Sequence, residues 1–249
     1  LNFSGNHRKN MMRSVRESLK RLNTDFIDLL WVHAWDGWTS AEEILRGLDD
    51  LIRQGLVHYI GISDTPAWVV SQANTLAELR GWNRFSGLQI EYNLLQRTVE
   101  AELLPMAKAF NLTITPWAPL AGGALTGKYL RGNPGRLAQT SARLSDRAVL
   151  ITRKVMEVAD NLGVPASQVA INWTRQHKGQ PMIPIVGATK LSQLEDTLGC
   201  LSWELSADSM RELDEVSHIE LPFPQKFFLE PGVLDVLYGG RKDDVQNPR

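Results

Sequence analysis

The residues best suited to chemistry sit where short apolar runs stop. His33 directly follows the run Phe26 to Val32, FIDLLWV. An imidazole at the end of a buried strand can polarise a carbonyl oxygen through its N–H, or exchange a proton with a neighbouring acid. The same position also suits a structural histidine hydrogen-bonded in a packed loop. Ser63 and Asp64 follow LVHYIGI, and Gln89 lies within GLQI. Their short polar groups suit a planar amide or a ribose. Trp117 closes LTITPW and offers a flat face on which a heterocycle can stack, although core filling is the ordinary use of such a residue.

Two further segments suit anions. Gly122 and Gly123, after Ala118-Pro119-Leu120-Ala121, allow a backbone to approach a bulky anionic ligand closely. Lys128 can supply charge to a pyrophosphate, or simply face solvent. Gly187-Ala188-Thr189-Lys190 precedes a helical pattern containing Gln193, Asp196 and Thr197. Backbone N–H groups at such a helix start can hold a phosphate, Lys190 adds a positive charge, and Gln193 and Asp196 lie one turn further on for ribose or adenine. The stretch Gly122 to Lys128 is not a P-loop, because its spacing is wrong and Tyr129 follows the lysine. No strand is followed by GxGxxG. His7, His58, His177 and His218 have no ligand spacing with His33, and Cys200 is alone, so no metal is expected.

The elements that must position these groups alternate. Strands are expected at Phe26 to Val32, Leu56 to Ile62, Gly87 to Ile90, Leu112 to Trp117 and Met182 to Val186. The first, nearly all apolar, reads as covered on both faces. Helices are expected at Asn10 to Leu22, from Ser40 to a stop at Gln54-Gly55, from Thr65-Pro66 with proline at the first position, at Val99 to Phe110, Leu150 to Leu162, Pro165 to Gln176, Leu191 to Leu198 and Ser206 to Val216. Pro105 either bends its helix or marks the true start. The long connection Gly122 to Asp146 is weakly periodic, as functional or mobile segments are. From Pro222 an apolar tail is expected to pack as an extension, with Lys242 to Arg249 frayed. This is the rhythm of a β/α protein with its chemistry at the C-terminal ends of parallel strands. A five-strand open sheet and an eight-strand barrel lacking its first three strands both satisfy it.

Composition narrows the partners. The chain has 249 residues, 43% hydrophobic and 22% charged, with a net charge of −1. That length can bury a large core as one α/β domain. Near-neutral charge leaves no electrostatic footprint for nucleic acid. No run approaches the ~20 apolar residues of a membrane span. The start, Leu1-Asn2-Phe3-Ser4-Gly5, has neither initiator Met nor signal-peptide layout, and a cytoplasmic location is expected.

Together these segments resemble the aldo-keto reductase family. Asp25-Phe26-Ile27-Asp28-Leu29-Leu30, leading to His33 and Asp36, is similar to the family's fourth strand and catalytic histidine. Tyr59-Ile60-Gly61-Ile62-Ser63 resembles its fifth strand, and Gln89-Ile90-Glu91-Tyr92-Asn93 its sixth. Trp117-Ala118-Pro119-Leu120 through Gly127-Lys128-Tyr129 resembles its seventh. Ile183-Pro184-Ile185-Val186-Gly187 through Gln193-Leu194-Glu195-Asp196 resembles its eighth strand and phosphate corner. The runs Ser4 to Asn10 and Asp64 to Val70 favour the aryl-alcohol-dehydrogenase-like side over the potassium-channel-β-subunit-like side.

The resemblance implies a (β/α)8 TIM barrel, here without its first three strands, as a single domain over 1–249 with 222–249 as its C-terminal extension. It implies reduction of aldehydes or ketones, aromatic ones foremost, to alcohols with NADP(H), and NAD(H) as the lesser alternative. The partner is then a small carbonyl or alcohol, with neither nucleic acid nor membrane. His33 is the only catalytic residue that carries over. The family's aspartate, proton-donor tyrosine and lysine belong to the three strands taken as absent. Ser63, Asp64 and Gln89 fall on the nicotinamide carboxamide, and Trp117 stacks on its ring. Ala118, Pro119, Leu120, Gly122 and Lys128 fall along the same cofactor towards the pyrophosphate. Gly187, Thr189, Lys190, Gln193, Asp196 and Thr197 fall on the adenosine side. Asp64, Thr189 and Thr197 depart from commoner family residues. A chain short of its N-terminal third is expected to turn over nothing by itself. The alternative is a nucleotide-binding or redox-sensing relative without the proton donor.

Overall fold

A computed structural model describes residues 3–177, 180–241 and 244. They fall into two compact units, Leu1–Ser217 and His218–Arg249. The first is α/β. Four parallel strands, β1 Ile27–Val32, β2 Val57–Ser63, β3 Gly87–Glu91 and β4 Thr113–Trp117, are hydrogen-bonded in the order β1-β2-β3-β4. Helices α1 Arg8–Leu22, α2 Ala41–Arg53 and α3 Ala67–Arg80 lie before and between the first three strands, and α4 Leu103–Ala109 precedes β4. Helices α5 Asp146–Leu162, α6 Ala166–Gln176, α7 Leu191–Leu198 and α8 Ala207–Val216 follow. Among the described residues no helix is long and apolar enough to cross a membrane.

The two faces of the sheet differ in kind. Successive strand residues point to opposite faces. The even-numbered positions Val32, Ile60, Ile62, Leu88, Ile90 and Ile114 are all buried and share one core with Leu45 and Leu48 of α2 and Val69, Val70 and Ala73 of α3. The odd-numbered positions make the other face. There the register sets Trp31 beside Gly61, Gly61 beside Gly87, and Gly87 beside Thr113. The Trp31 ring lies across both glycines, and a Cβ added to Gly61 would come within 2.4 Å of it. Glycine at 61 is therefore demanded by the flat indole. Nearer the strand starts this face is open, with Leu29 39% and Tyr59 65% exposed. The expectation that the first strand is covered on both faces therefore fails near its start, where Asp28 and Leu29 are exposed, and Val32 at its end is its one buried residue.

The expected fifth strand is present as hydrogen bonds more than as regular structure. Met182 bridges Ile114 in the parallel sense, and the N–H groups of Ile183 and Ile185 donate to the carbonyls of Ile114 and Pro116. Pro116 has no N–H to give to the Ile183 carbonyl, so the ladder is interrupted there.

Local signals set most helix starts. The Ser40 hydroxyl accepts the Glu43 N–H, the forward half of a capping box, while the Glu43 carboxylate receives the Arg8 N–H instead of returning to Ser40. Pro66 and Pro165 stand at the N-cap, one position earlier than the first helical turn expected for Pro66. Pro105 lies in the first turn of α4, and a separate 3-10 turn, Thr98–Glu100, precedes that helix.

That 3-10 turn anchors a buried polar knot. Arg97 Nε donates to Glu100 at 2.7 Å, and its Nη1 donates to the Ser217 hydroxyl at 2.7 Å and to the Asp214 carbonyl at 3.1 Å. Tyr92 donates its hydroxyl to Glu100 at 2.8 Å, and Trp173 donates its indole N–H to Asp214 at 3.1 Å. The end of β3, the 3-10 turn, α6 and α8 are thereby joined through side chains. Burial, and then the Glu100 carboxylate beside it, push the Tyr92 phenol far above its ordinary value, so it stays protonated as a donor.

The unit His218–Arg249 contains α9 Pro231–Tyr238 and a chain of ring contacts, Phe223 to Phe227 and Phe227 to Phe228. Phe223, Leu229 and Val236 are exposed. Of the tail expected to fray, Lys242 to Arg249, all but Asp244 lies outside the described residues.

Candidate functional site

The register brings several of the expected residues into one row. Ser63 is the direct partner of Gln89, and Gln89 of Thr115, on the odd-numbered face. His33 is the first residue past the last pair of β1, Val32 opposite Ile62, and an extension of that register would set it beside Ser63. The row Ser63, Gln89 and Thr115 runs across the strand ends, one level above the Trp31 indole, and His33 follows the end of β1 on its open side. His33 is exposed and Gln89 half-buried. Ser63 is 1% exposed and its hydroxyl has no hydrogen-bond partner among the described residues. A buried hydroxyl left unpaired costs about 1–3 kcal/mol, so it is a natural place for a ligand's polar group. One level higher, Glu91 pairs with Trp117 in register, and the Trp117 indole N–H donates to Asp64 Oδ1 at 3.3 Å. That bond reaches from β4 to the end of β2, bracketing Gln89.

The loop that follows His33 is pinned from a distance. Asp36 Oδ2 accepts the Asn6 N–H at 2.7 Å, and Asn6 Oδ1 accepts the Asp36 N–H at 2.6 Å. Asp36 also accepts from the N–H groups of Trp38 and Thr39 and from the Thr39 hydroxyl. Burial raises the Asp36 pKa, but the Asn6 and Thr39 donors outweigh it and hold the carboxyl well below its ordinary value of 3.8. A depressed carboxyl stabilises the fold above its unfolded pKa and loses that contribution as pH falls through the folded one. Asp36→Asn is therefore expected to cost about 1–2 kcal/mol at neutral pH, the worth of a few hydrogen bonds including two to a capping group. The gap from wild type should shrink as pH drops below about 4. Urea unfolding at pH 7 and at pH 3 measures both, and an equal gap at the two values would refute it.

Backbone strain concentrates at the same strand ends. Among the described residues five non-glycine residues have positive φ. Two of them are ordinary: Asn23 caps α1, and Asn111 closes the turn after α4. The other three are Asp64 at 39°, Ala118 at 51° and Ala121 at 48°, beside Ser63 and Trp117. Each such residue costs roughly 1–2 kcal/mol, so the surrounding structure must enforce it. Gly122 and Gly123 continue the left-handed path without penalty at 73° and 92°. Pro119 is buried and Leu120 half-buried within this turn.

The turn has cations beside it. A Cβ built on Gly123 would sit 3.0 Å from Lys128 Nζ, and one built on Gly122 would sit 3.3 Å from Arg143 Nη1. Gly122 is buried with the Leu137 side chain 2.9 Å from its Cβ position, so the half-buried Gly123 beside the Lys128 ammonium is the position that fits a phosphorylated ligand. Arg143 pairs with Glu91 at 2.6 Å, tying the long connection to the end of β3.

The second anion corner is more divided. Gly187, Ala188, Thr189, Lys190 and Gln193 are exposed, and nothing lies within 4 Å of where a Gly187 side chain would be. Gln193 Oε1 accepts both the N–H and the hydroxyl of Thr189, at 2.9 and 3.1 Å, and fixes this corner at the start of α7. Asp196 is instead engaged by the Ser167 hydroxyl on α6, and Thr197 is buried. Sequence reasoning did not single out Thr115, Asn93 or Arg143. Strict alternation along β4 would have found Thr115. Arg143 lies in a connection without periodicity, and nothing local marks it.

The sequence model described as Aldo/keto reductase family matches residues 2–218. A Saccharomyces cerevisiae protein provisionally named an aryl-alcohol dehydrogenase is 36% identical over 91% of this chain and 81% of its own length. A second yeast protein of that provisional name is 35% identical over 91% of this chain and 70% of its own. Norsolorinic acid reductase A of Aspergillus parasiticus is 34% identical over 92% of this chain and 58% of its own. These matches correct the expectation of a chain lacking the N-terminal third. At least nine-tenths of the chain is matched in each case, and less than a third of either yeast protein is left over.

Proposed function

The chain belongs to the aldo/keto reductase family, and from that premise we propose that it is an NADP(H)-dependent oxidoreductase that reduces aromatic aldehydes or ketones to alcohols. The observation that carries this reading is the row Ser63, Gln89 with His33 past the end of β1, Trp117 above it and an unpaired buried hydroxyl at Ser63. The four strands would be one arc of the family's (β/α)8 barrel. The nicotinamide supplies hydride to the carbonyl carbon when bound. Ser63 and Gln89 offer a hydroxyl and an amide to its carboxamide, and Asp64 fixes the Trp117 plate that stacks against its ring. Ala118, Pro119, Leu120 and the buried Gly122 shape the turn, Gly123 gives backbone access, and Lys128 meets the pyrophosphate charge. Gly187, Thr189, Lys190 and Gln193 receive the adenosine end, with Asp196 and Thr197 holding α7 in place. Lys190 favours a 2′-phosphate and hence NADP(H) over NAD(H). His33 donates an N–H to the carbonyl oxygen as charge builds on it. The aromatic substrate is suggested by the names of the relatives.

A second reading, nucleotide binding without turnover, is favoured by the tyrosines. The Tyr92 hydroxyl is held by Glu100 and that of Tyr129 accepts the Leu137 N–H, while Tyr59 lies two levels below the row. Titration with NADPH should quench tryptophan fluorescence, and an aromatic aldehyde should then be reduced with loss of NADPH absorbance. Quenching without reduction would select the second reading; no quenching by NADPH or NADH would end both.

A further inference from the structure

The turn that carries Ala118 to Gly123 is strained, and one buried side chain grips it. Asn93 follows β3 and is 0% exposed. Its Oδ1 accepts the N–H groups of Leu95 at 2.9 Å and Gln96 at 3.0 Å. Its Nδ2 donates to the Ala118 carbonyl at 3.0 Å. The same carbonyl accepts the Ala121 N–H at 2.8 Å, and the next bond of the turn runs from the Gly123 N–H to the Leu120 carbonyl at 2.8 Å. One carbonyl is thus shared between Asn93 and the turn's own first hydrogen bond, and it belongs to a residue at φ 51°. Only a side chain with both acceptor and donor can cap Leu95 and Gln96 and still reach Ala118. Aspartate would keep the two accepted bonds and lose the donated one.

We propose that Asn93 is a positioning residue: it holds Ala118 in the left-handed region, and so keeps the Trp117–Gly123 backbone in the shape that receives the nucleotide's phosphates. The nucleotide part rests on the reading given under Proposed function; the grip on the turn does not.

The test uses Asn93→Ala, Asn93→Asp, Ala118→Gly and the double variant Asn93→Ala with Ala118→Gly. Two quantities are read: amide hydrogen exchange at Ala121 and Gly123, and the dissociation constant for NADPH from fluorescence quenching. Asn93→Ala and Asn93→Asp should each raise exchange at these two amides about tenfold and weaken NADPH about tenfold, which is ~1.4 kcal/mol. Exchange in the strands should be unchanged. In the double variant both quantities should return to within about threefold of wild type, because glycine takes that φ without needing the bond. A general loss of packing at Asn93 would not be repaired by Ala118→Gly. Unchanged exchange in both single variants, or a double variant no better than Asn93→Ala, would overturn the proposal. Where Asn93→Ala does not fold, Asn93→Asp alone decides. Failure of wild type to bind NADPH would overturn the nucleotide reading, while the exchange data would still judge the grip.

Discussion

His33→Ala is expected to lower kcat for reduction of an aromatic aldehyde roughly 100-fold while leaving NADPH affinity within about twofold. The asymmetry follows from where the imidazole stands. Ser63 and Gln89, in the row it adjoins, are assigned to the nicotinamide end of the nucleotide, and the phosphates are assigned to Ala118–Gly123 and to the corner at Gly187–Lys190. His33 has no share in either assignment. It lies at the sheet edge, exposed, where a substrate oxygen can approach from solvent. An N–H donated there matters most when negative charge develops, so its removal acts on the transition state more than on binding. His33→Gln keeps a donor and should recover part of the loss. Steady-state kinetics with a separate fluorescence titration distinguishes the two effects. An unchanged kcat would remove His33 from the reaction, and a large loss of NADPH affinity would move it into the nucleotide pocket.

The strands were legible because their even positions, past Asp28 and His58 at the strand starts, are apolar and their odd positions are mixed. Ile60, Ile62, Leu88, Ile90 and Ile114 are buried, and every one is apolar. Read with period two, the same strands give Ser63, Gln89 and Thr115 on the other side, so most of the polar row can be written from sequence once register is known. Register itself is a property of pairing. That Trp31 needs Gly61 and Gly87 beside it appears only when three strands are side by side. The expected fifth strand keeps its bonds to Ile114 and Pro116 without becoming regular, because Pro116 lacks the N–H that the next bond needs. What stayed hidden has a common cause. Asn93 reaches Ala118 across 25 positions, Asn6 reaches Asp36 across 30, and Arg143 reaches Glu91 across 52. Such bonds have no periodicity, and a polar residue in a loop reads as solvated until its partner is seen. The backbone strain at Ala118 and Ala121 is hidden for a different reason: alanine is a poor left-handed residue, so propensity argues against the conformation that tertiary contacts impose.

Glu100→Ala should be the most destabilising change of charge in the molecule, at about 3–5 kcal/mol. The Arg97 and Glu100 side chains are only 7% and 5% exposed. Burial alone would lower the Arg97 pKa, but its bonds to Glu100 reverse that and keep the guanidinium charged. Without Glu100 the guanidinium keeps its contacts to Asp214 and Ser217 but loses its principal counter-charge, and the Tyr92 hydroxyl loses its acceptor inside the core. One substitution takes the principal counter-charge from a buried guanidinium and the acceptor from a buried hydroxyl, which is why the cost should exceed that of an ordinary pair. The exposed pair of Arg84 and Glu78, at 50% and 58%, sets the contrast, and Glu78→Ala should cost under about 1 kcal/mol. The attraction itself is not the main term. A buried ion pair repays little beyond its desolvation, so a double variant Arg97→Met with Glu100→Leu should lose less than Glu100→Ala alone. Urea midpoints of the three variants test this ordering. A double variant less stable than Glu100→Ala would mean that the pair's own attraction, and not the stranding of its partners, holds the 3-10 turn against α6 and α8.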